Sequence, residues 1–301
     1  MTEARFVLLD DRGILAVSGP DRRAFLQGLV SNDVAKVTSA EARYAALLTA
    51  QGKYLHDFTM IEQDDAILLD GEAARLADLK RRLSIYRLRA KVTITERPDL
   101  AVAAIFGPDA LTALDLPAQP GAARALDGGV VFVDPRLVEL GLRCILPREN
   151  ARLILTEAGL TEIGFDAYDR LRLGLGIADS SRDLAIEKSI LLEAGFDELN
   201  GVDWNKGCYI GQELTARTKY RGLIKRRLMP VTISGPQPSP GMVICADGRE
   251  VGEMRSSRDG RGLALLRIDA ALDNRTLTAG EAVILPERPQ WMNLSEVDKV
   301  T

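Results

Sequence analysis

Short, mostly apolar runs recur in the first part of the chain, a pattern that is typical of buried β-strands. Turn-forming residues separate these stretches, which lie at residues 6–9, 13–17, 44–48, 54–60 and 66–69. A glycine between the third and fourth stretches predicts a hairpin there. A helix is predicted at residues 72–86. Its inward-facing positions are Ala74, Leu76, Leu79 and Leu83.

Another helix is predicted after the S-G-P-D run at residues 18–21, since proline and an acidic residue suit the first turn of a helix. One face of this helix is apolar and carries Phe25, Leu26, Leu29 and Val30. Polar residues follow, and the simplest interpretation is a packing helix that ends in a polar cap. We nevertheless single out Asn32 as a candidate site residue, together with Asp33.

The later pattern indicates further domains. Strands are predicted at residues 92–94, 102–105 and 130–133, with a short helix after residue 109. Together with the preceding elements they give the order of a ferredoxin-like, split βαβ unit. From residue 223 onward, short β-like segments alternate with turns, and this spacing predicts a small antiparallel barrel. We therefore expect an α+β protein.

The composition is that of an ordinary globular protein. The chain has 301 residues, enough for two or three domains, of which 46% are hydrophobic and 27% are charged. Its formal net charge of −4 gives no overall reason to expect nucleic-acid binding. The apolar runs are much shorter than a membrane span and no signal peptide is recognised, so we expect a cytoplasmic protein with no membrane partner.

The three cysteines, Cys144, Cys208 and Cys245, lie far apart in the sequence. An odd number of widely separated cysteines argues against a disulfide framework. The chain also lacks a C-x-x-C motif and any cysteine–histidine spacing typical of metal sites. We therefore expect no metal or iron–sulfur site that the chain holds by itself.

The most distinctive stretch is K-G-C-Y-I-G-Q-E at residues 206–213. Glycines on both sides of Cys208 permit a turn that holds the thiol at a surface. Helix-forming residues continue from Gln212, so Cys208 is expected just before a helix N-terminus, with Lys206 two residues away. Both features stabilise a thiolate. The alternative interpretation is a half-buried structural cysteine in a tight turn.

This stretch resembles the signature K-G-C-[YF]-x-G-Q-E of the YgfZ family. Members of that family are folate-binding proteins that support iron–sulfur proteins, and they are related to the glycine-cleavage T-protein, an aminomethyltransferase. The resemblance implies a GcvT-like α+β fold, with three domains arranged as a ring around a folate-sized hole. The expected domains are a discontinuous folate-binding domain of residues 1–42 and 137–222, a ferredoxin-like domain of residues 43–136, and a C-terminal β-barrel of residues 223–301.

Other segments extend the resemblance. The D-P-R and L-G-x-R runs within residues 134–143 resemble the part of the family where the chain returns to its first domain. The L-E-A-G run containing Glu193 resembles the T-protein segment whose glutamate binds the pterin ring of folate, which implies this role for Glu193. Residues 52–57 resemble the T-protein segment G-G-I-x-D-D, which carries a catalytic aspartate. Only the second acid remains, as Asp57, because His56 replaces the first, and this departure weakens the case for aminomethyl transfer.

Folate binding requires a carboxylate for the N–H groups of the pterin, apolar walls for the flat ring, and cations for the glutamate tail. Glu193 lies in an otherwise apolar run, where a carboxylate is either a ligand or a salt-bridge partner. Two basic clusters, at residues 80–91 and 217–227, are interpreted as a positive rim for an anionic ligand, or alternatively as solvated faces. We assign folate contacts to Glu193, Lys206, Tyr209, Gln212, Arg217 and Asn32.

These observations lead to a hypothesis and an alternative. We expect a tetrahydrofolate-binding accessory protein for the assembly or repair of iron–sulfur client enzymes, with Cys208 as the reactive residue and Asp57 as the second catalytic candidate. A cluster-assembly helper need not hold a cluster tightly, which agrees with the scattered cysteines. The alternative is a folate-dependent aminomethyl- or methyltransferase of the T-protein type. An RNA-associated module is disfavoured because no specific nucleic-acid motif is recognised.

Overall fold

The computed structural model describes residues 3–222, 224–273 and 275–294. The strands are β1 (Arg5–Leu8), β2 (Arg12–Ser18), β3 (Arg43–Leu48), β4 (Tyr54–Gln63), β5 (Ala66–Glu72), β6 (Thr93–Glu96), β7 (Leu100–Phe106), β8 (Ala123–Leu126), β9 (Gly129–Val133), β10 (Leu142–Pro147), β11 (Thr161–Glu162), β12 (Arg226–Ser234), β13 (Val243–Ala246), β14 (Arg249–Arg258), β15 (Arg261–Arg267), β16 (Leu277–Ala279) and β17 (Ala282–Pro286). The α-helices are α1 (Arg22–Gln27), α2 (Leu76–Ile85), α3 (Ala110–Ala113), α4 (Ala151–Glu157), α5 (Phe165–Gly174), α6 (Ser180–Asp183), α7 (Gln212–Tyr220) and α8 (Ile268–Leu272). Short 3₁₀ helices lie at Val34–Lys36, Ala73–Arg75, Val138–Leu140 and Leu191–Ala194.

The chain forms two compact units, and each is assembled from separate stretches. The first unit contains Met1–Leu48, Leu55–Tyr168 and Asn200–Ile210. The second unit contains Thr49–Tyr54, Asp169–Leu199 and Gly211–Thr301. The three-domain boundaries expected from the sequence stay a prediction, and the expected first residue of the barrel, Leu223, lies outside the described residues, as does the tail beyond residue 294.

One sheet of the first unit has five strands in the order β3-β4-β5-β2-β6. Helix α2 packs on this sheet, because Leu76, Leu79 and Leu83 belong to the same buried cluster as the apolar residues of the strands. These three leucines confirm the inward face that was predicted from the helical repeat. Ala74, which was also predicted to face inward, is exposed, since it lies in the 3₁₀ turn that precedes α2.

The other sheet of the first unit has six strands in the order β11-β1-β7-β10-β9-β8. Its buried core includes Phe6, Ile105, Val131 and Leu146. Strands β7 and β9 belong to this sheet, whereas the hydrophobic pattern grouped them with β5, α2 and β6 in a ferredoxin-like unit. The grouping was wrong because β7 pairs with β1 and β10. Apolar periodicity indicates that a strand is buried but does not identify its neighbours.

A chain of buried charges joins the two sheets of the first unit. Arg12 in β2 donates a 2.8 Å hydrogen bond to Asp70 in β5, and Arg143 in β10 donates to the other oxygen of Asp70 at 2.7 Å. Arg143 also donates to Asp134 at 3.0 Å, and Arg136 donates to the same carboxylate at 2.8 Å. All five side chains are buried. Burying an isolated charge is costly, so the alternation of guanidinium and carboxylate groups is what makes this arrangement stable.

The second unit contains a closed antiparallel barrel with the strand order β12-β15-β14-β13-β16-β17. Its interior is apolar and includes Ile244, Met254, Leu266 and Ile284. Closure leaves no open sheet edge, which explains how such short strands form a stable domain. The antiparallel C-terminal barrel expected from the alternating β-like segments is thus confirmed, as is the α+β class of the chain.

The described helices are short. The longest of them, α2 and α5, have ten residues each. None of the helices in the described part of the chain is long and apolar enough to cross a membrane.

Candidate functional site

The K-G-C-Y-I-G-Q-E stretch forms an irregular turn followed by α7. Cys208 is exposed on this turn with a free thiol. Gly211 precedes α7 with a φ of 81°, a left-handed conformation that favours glycine over residues with a side chain. The expected surface turn around Cys208, followed at once by a helix, is therefore present.

Lys206 fixes this turn to the first unit. Its ammonium group donates hydrogen bonds to the carbonyls of Gln27 at 2.8 Å, Val30 at 2.6 Å and Asn32 at 2.8 Å. An ammonium group has three N–H donors, so all of them are used within the protein. Burial lowers the pKa of Lys206 to about 8. The sequence assigned Lys206 to folate, whereas its contacts hold the backbone that presents Cys208.

Tyr209 lies beneath this lysine. The Lys206 ammonium nitrogen is 5.0 Å from the centroid of the Tyr209 ring, a cation–π distance. The ring is buried, and the next residue, Ile210, donates its N–H to the carbonyl of Gly28 at 3.1 Å. The Tyr209 ring and the Ile210 backbone therefore both help to attach the signature turn. The role of Tyr209 as a pterin wall stays a prediction.

Asn32 is a buried connector between three backbone segments. Its amide nitrogen donates to the carbonyls of Tyr44 at 2.7 Å and Asn200 at 2.6 Å. Its side-chain oxygen accepts the N–H of Asp33 at 2.8 Å. The Asn32 side chain thus ties strand β3 to the segment that leads into the signature turn, and the Asn32 carbonyl receives the Lys206 ammonium.

Asp57 is held by a residue that the sequence analysis did not single out. The phenolic hydroxyl of Tyr44 donates to the Asp57 carboxylate at 2.8 Å, and the Arg136 guanidinium lies 5.4 Å from the centre of the Tyr44 ring. Burial, and after it the charge of Asp57, raise the pKa of Tyr44 well above its usual value, so the phenol stays protonated and donates. Asp57 itself is only 4% exposed. An aromatic residue on a strand is normally read as core, so the sequence carried no signal for this contact.

The candidate residues of the first unit are therefore connected. Asp57 contacts Tyr44, whose carbonyl accepts from Asn32, and the carbonyl of Asn32 accepts from Lys206 two residues before Cys208. Sequence reasoning identified four of these five residues. Hydrogen bonds link Asp57, Tyr44, Asn32 and Lys206, and Cys208 follows Lys206 two residues later in the sequence.

His56 does not share the environment of its neighbour Asp57. Its Nε2 lies 2.9 Å from Asp78 of α2, and the imidazole is buried. Burial, and next the Arg75 guanidinium, lower the pKa of His56 to about 4, although Asp78 acts in the opposite direction. The imidazole is therefore neutral at physiological pH and donates its Nε2–H to Asp78. It is a packed core histidine.

Glu193 is the central candidate in the second unit. It lies in the 3₁₀ helix Leu191–Ala194, whose other members are buried, and its side chain is 13% exposed. The nearest cation is Arg226, whose Nε is 3.6 Å from the carboxylate. Burial raises the pKa of Glu193, while Arg226 and then Lys53 act to lower it. From the sequence, this carboxylate could be either a ligand-binding group or a salt-bridge partner. Because its contact with Arg226 is long, the poorly exposed carboxylate can still accept hydrogen bonds.

The basic residues near α7 are partly neutralised. Arg217 pairs with Glu213 one turn earlier in the helix, and Lys219 pairs with Asp197 at 2.7 Å. Gln212 is the first residue of α7. The helix carries the two predicted folate contacts Gln212 and Arg217 in the second unit, where their roles stay predictions. The pairing with acids reduces the charge that this cluster offers to an anion.

The other cysteines differ from Cys208 in accessibility. Cys144 is completely buried in β10, and burial raises the pKa of its thiol to about 12. Cys245 is half-buried in β13. Among the described residues, no group of three or more histidine, cysteine, aspartate or glutamate side chains could hold a metal ion.

Comparisons with known proteins agree with this architecture. The C-terminal β-barrel domain of CAF17 matches residues 225–294, and the GCVT N-terminal domain matches residues 10–119. The mitochondrial iron–sulfur cluster assembly factor IBA57 of Homo sapiens is 33% identical over 94% of this chain and 84% of its own length. The Neurospora crassa homolog is 31% identical over 80% of this chain and 56% of its own length.

Among solved structures, the glycine cleavage system aminomethyltransferase T from Bartonella henselae matches with a TM-score of 0.77. The match covers 95% of this chain and 85% of that protein at 18% identity, so it establishes a shared GcvT-like fold. The named relatives are mitochondrial proteins, which points to the mitochondrion. The prediction of a cytoplasmic protein was therefore wrong. It rested on the lack of a recognised signal peptide, which does not identify the compartment of a protein.

Proposed function

Since the chain belongs to the family of the iron–sulfur cluster assembly factor IBA57, we propose that it acts as an accessory factor in the assembly of iron–sulfur client proteins. The relationship extends over 94% of the chain, so it includes both compact units and the signature turn. We also propose that residues 206–213 serve as they do in the YgfZ family, which the signature resembles. The single observation that carries the site assignment is the exposed Cys208 on a turn fixed by Lys206.

Cys208 is the residue that contacts the cluster or the client in this proposal. Thiolate sulfur is a preferred ligand of iron in iron–sulfur clusters. A single exposed cysteine provides one ligand, and a cluster needs several. Such a residue therefore suits transient contact during transfer or repair better than permanent storage. The turn that carries Cys208 is fixed by the Lys206 hydrogen bonds, which lowers the cost of presenting the thiol to a partner.

Tetrahydrofolate is the proposed cofactor, and the residues present suit it. The carboxylate of Glu193, which is only 13% exposed, is available to accept N–H groups of a pterin, because its one ion pair within the described part of the chain is the long 3.6 Å contact with Arg226. Buried leucines flank it in the same 3₁₀ helix and provide apolar surroundings. When bound, a reduced folate supplies a one-carbon carrier or a reducing ring. Glu193 would orient the pterin, and Arg226 or Arg217 would meet the glutamate tail.

A folate-dependent aminomethyl- or methyltransferase is the second candidate. The shared GcvT-like fold and the Tyr44–Asp57 hydrogen bond of 2.8 Å favour it, because the phenol orients a carboxylate at the position that resembles the T-protein aspartate. Against it, Asp57 is buried and His56 occupies the position of the first acid. The assembly role is therefore preferred.

Complementation separates the two candidates. Cells that lack the native protein would receive the wild-type chain, Cys208→Ser, Asp57→Asn or Cys144→Ser, and iron–sulfur enzyme activity would be measured at equal protein levels. We expect loss of support only with Cys208→Ser. Full activity of Cys208→Ser together with loss in Asp57→Asn would overturn the assembly proposal in favour of the transferase. Titration with tetrahydrofolate, followed by the fluorescence of Trp204, tests the cofactor independently.

A further inference from the structure

A stretch without aspartate or glutamate begins within helix α2. Residues 79–95 contain six lysines and arginines and no aspartate or glutamate, although the whole chain has a net charge of −4. The stretch comprises the last seven residues of α2, the connection to β6 and the first three residues of β6. We call residues 85–91, which begin with the last residue of α2 and lead toward β6, the basic loop. It lies entirely within the first unit.

Large apolar side chains of the basic loop are exposed. Ile85 is 60% exposed, Tyr86 is 42% exposed and Leu88 is 89% exposed. Single exposed apolar residues are common on protein surfaces, but three large ones within four positions form a patch. No packing requirement of the unit explains them, because the neighbouring Leu83 and Val92 already fill the core at the two ends of the loop.

The cations of the basic loop are not neutralised. Arg87, Arg89 and Lys91 are exposed, and none of the three side chains has a carboxylate partner among the described residues. By contrast, Arg81 and Arg82 on α2 donate to Asp78 at 2.5 Å and 2.8 Å. The loop therefore presents free positive charge beside apolar side chains.

The basic loop is held in place at its base. The backbone N–H of Lys91 donates to the Asp21 carboxylate at 2.7 Å. Gly19 packs so closely that a Cβ atom there would lie 2.3 Å from the carbonyl oxygen of Lys91. Leu88 has a φ of 39°, a left-handed conformation that is unfavourable for a residue with a side chain. Such strain is commonly retained where a loop serves recognition.

We propose that the basic loop is a docking surface for a protein partner whose contact face is acidic and offers apolar pockets for Leu88 and its neighbours. Charge complementarity argues for the acidic face, since three free cations surround the apolar patch. Nucleic acid would leave the aliphatic Ile85 and Leu88 exposed. Beside the loop, Lys80 and Arg81 of α2 are exposed but paired with Glu96 and Asp78, and such a mixed-charge surround suits a folded partner rather than insertion of a loop tip into lipid. The proposal rests on the assembly role only in that assembly requires a protein partner.

Site-specific photocrosslinking identifies the partner. A benzophenone amino acid would replace Leu88, or Leu153 as the control, since Leu153 is a 57% exposed leucine on α4 of the same unit. The protein that crosslinks from position 88 would be purified and its binding to the wild-type chain measured at low and high salt. A partner with an acidic contact face, whose affinity falls with increasing salt, supports the proposal.

Charge-reversal variants test whether the cations of the basic loop bind the partner. Arg87→Glu/Arg89→Glu should weaken binding of the purified partner at least tenfold, and Leu88→Gln should weaken it severalfold. Arg5→Glu/Arg249→Glu changes two other exposed arginines, gives the same net charge and should leave binding unchanged.

Equal binding by both double variants would overturn the proposal. Crosslinking from position 88 that is no greater than crosslinking from position 153 would also overturn it. Equal retention of the wild-type chain and of Leu88→Gln on phosphatidylglycerol vesicles, without crosslinking of any protein partner, would also overturn it. Because Cys208 is untouched in these variants, failure of this proposal is distinguishable from failure of the assembly role.

Discussion

The ammonium group of Lys206 donates a 2.8 Å hydrogen bond to the backbone carbonyl of Asn32. This contact, together with those to the carbonyls of Gln27 and Val30, attaches the turn bearing Cys208 to the end of α1 and the segment that follows it. A side chain within the signature therefore fixes the backbone of the signature itself. Three hydrogen bonds from one charged group make Lys206 the residue on which the position of the thiol depends most directly.

Replacing Lys206 should loosen this turn. Lys206→Met keeps a long side chain but removes all three donors, so we expect a loss of about 1–3 kcal/mol in the free energy of unfolding. Hydrogen exchange of residues 205–211 should also become faster. Urea denaturation and exchange mass spectrometry would measure the two effects. Lys36→Met, which removes a single exposed ion pair with Asp203, serves as the control and should change little.

Alkylation should distinguish the three cysteines. At neutral pH a small alkylating reagent should modify Cys208 first, because it is exposed, while Cys144 is buried with a thiol pKa of about 12. Cys245, which is half-buried, should react at an intermediate rate. Mass spectrometry of the folded protein would give the order, and all three should react alike in denaturant. Early labelling of Cys144 would contradict the buried position of β10.

The pterin assignment predicts a specific loss in Glu193→Gln. The amide keeps the shape but removes the charge, and a charge-assisted hydrogen bond of this kind contributes about 1.5–3 kcal/mol, so tetrahydrofolate affinity should fall more than tenfold. Glu198→Gln is a matched control, since Glu198 is another poorly exposed glutamate of the second unit and pairs with Arg227. Calorimetry would measure both dissociation constants, and an unchanged value for Glu193→Gln excludes it as the anchor.

Folate affinity should also depend on pH through the same carboxylate. Burial raises the pKa of Glu193, and only its ionised form accepts two N–H groups. Affinity should therefore decrease as the pH falls from 7 toward that raised pKa, and the decrease should be absent in Glu193→Gln. Calorimetric titrations at pH 7, 6 and 5 would give the profile. A profile that is the same in both proteins would mean that another group binds the pterin.

His56, the only histidine of the chain, should give a pH-dependent stability. The unfolded chain binds a proton on this imidazole near pH 6.5, whereas the folded chain binds it only near pH 4, because burial lowers the pKa of His56 to about 4. The folded state thus loses up to about 3 kcal/mol of stability as the pH falls from 6.5 to 4. Urea denaturation at several pH values would detect this loss, and His56→Gln should remove that part of it. The imidazole resonance should titrate near pH 4, and titration near 6.5 would contradict its burial.

The ion-pair network should be far more sensitive than surface ion pairs. Asp70→Asn leaves Arg12 and Arg143 buried with one partner fewer, and breaking a buried pair typically costs about 3–5 kcal/mol. Asp99→Asn breaks an exposed pair with Arg97 and should cost less than about 1 kcal/mol. Chemical denaturation would compare the two. Similar losses in both variants would mean that the buried network contributes little.

The sequence predicted those features that depend on local patterns. The apolar repeat of α2 identified Leu76, Leu79 and Leu83, and the alternating segments after residue 223 identified the barrel. The signature turn with an exposed Cys208 also followed from its glycines. Local side-chain chemistry was sufficient in these cases, since each depends on neighbours within a few residues.

The remaining features depend on contacts between distant residues. Arg12 and Asp70 are 58 positions apart, and Asp70 and Arg143 are 73 apart, so no periodicity could pair them. The same applies to Tyr44, which looked like an ordinary core residue of β3. The pairing of β7 with β1 and β10 was missed for this reason, since strand order is decided by packing between segments rather than within them.

The attachment of the signature turn to residues far earlier in the sequence has a consequence for the synthesis of the protein. The three hydrogen bonds of Lys206 close loops of 179, 176 and 174 residues, so this turn can dock only after more than two hundred residues have left the ribosome. Loop closure over such distances is slow compared with local folding. The first unit must therefore wait, with its last segment missing, while residues 169–199 of the second unit are made. A nascent or truncated chain cannot display the thiol of Cys208 in its final setting, which forms only when most of the molecule has been translated.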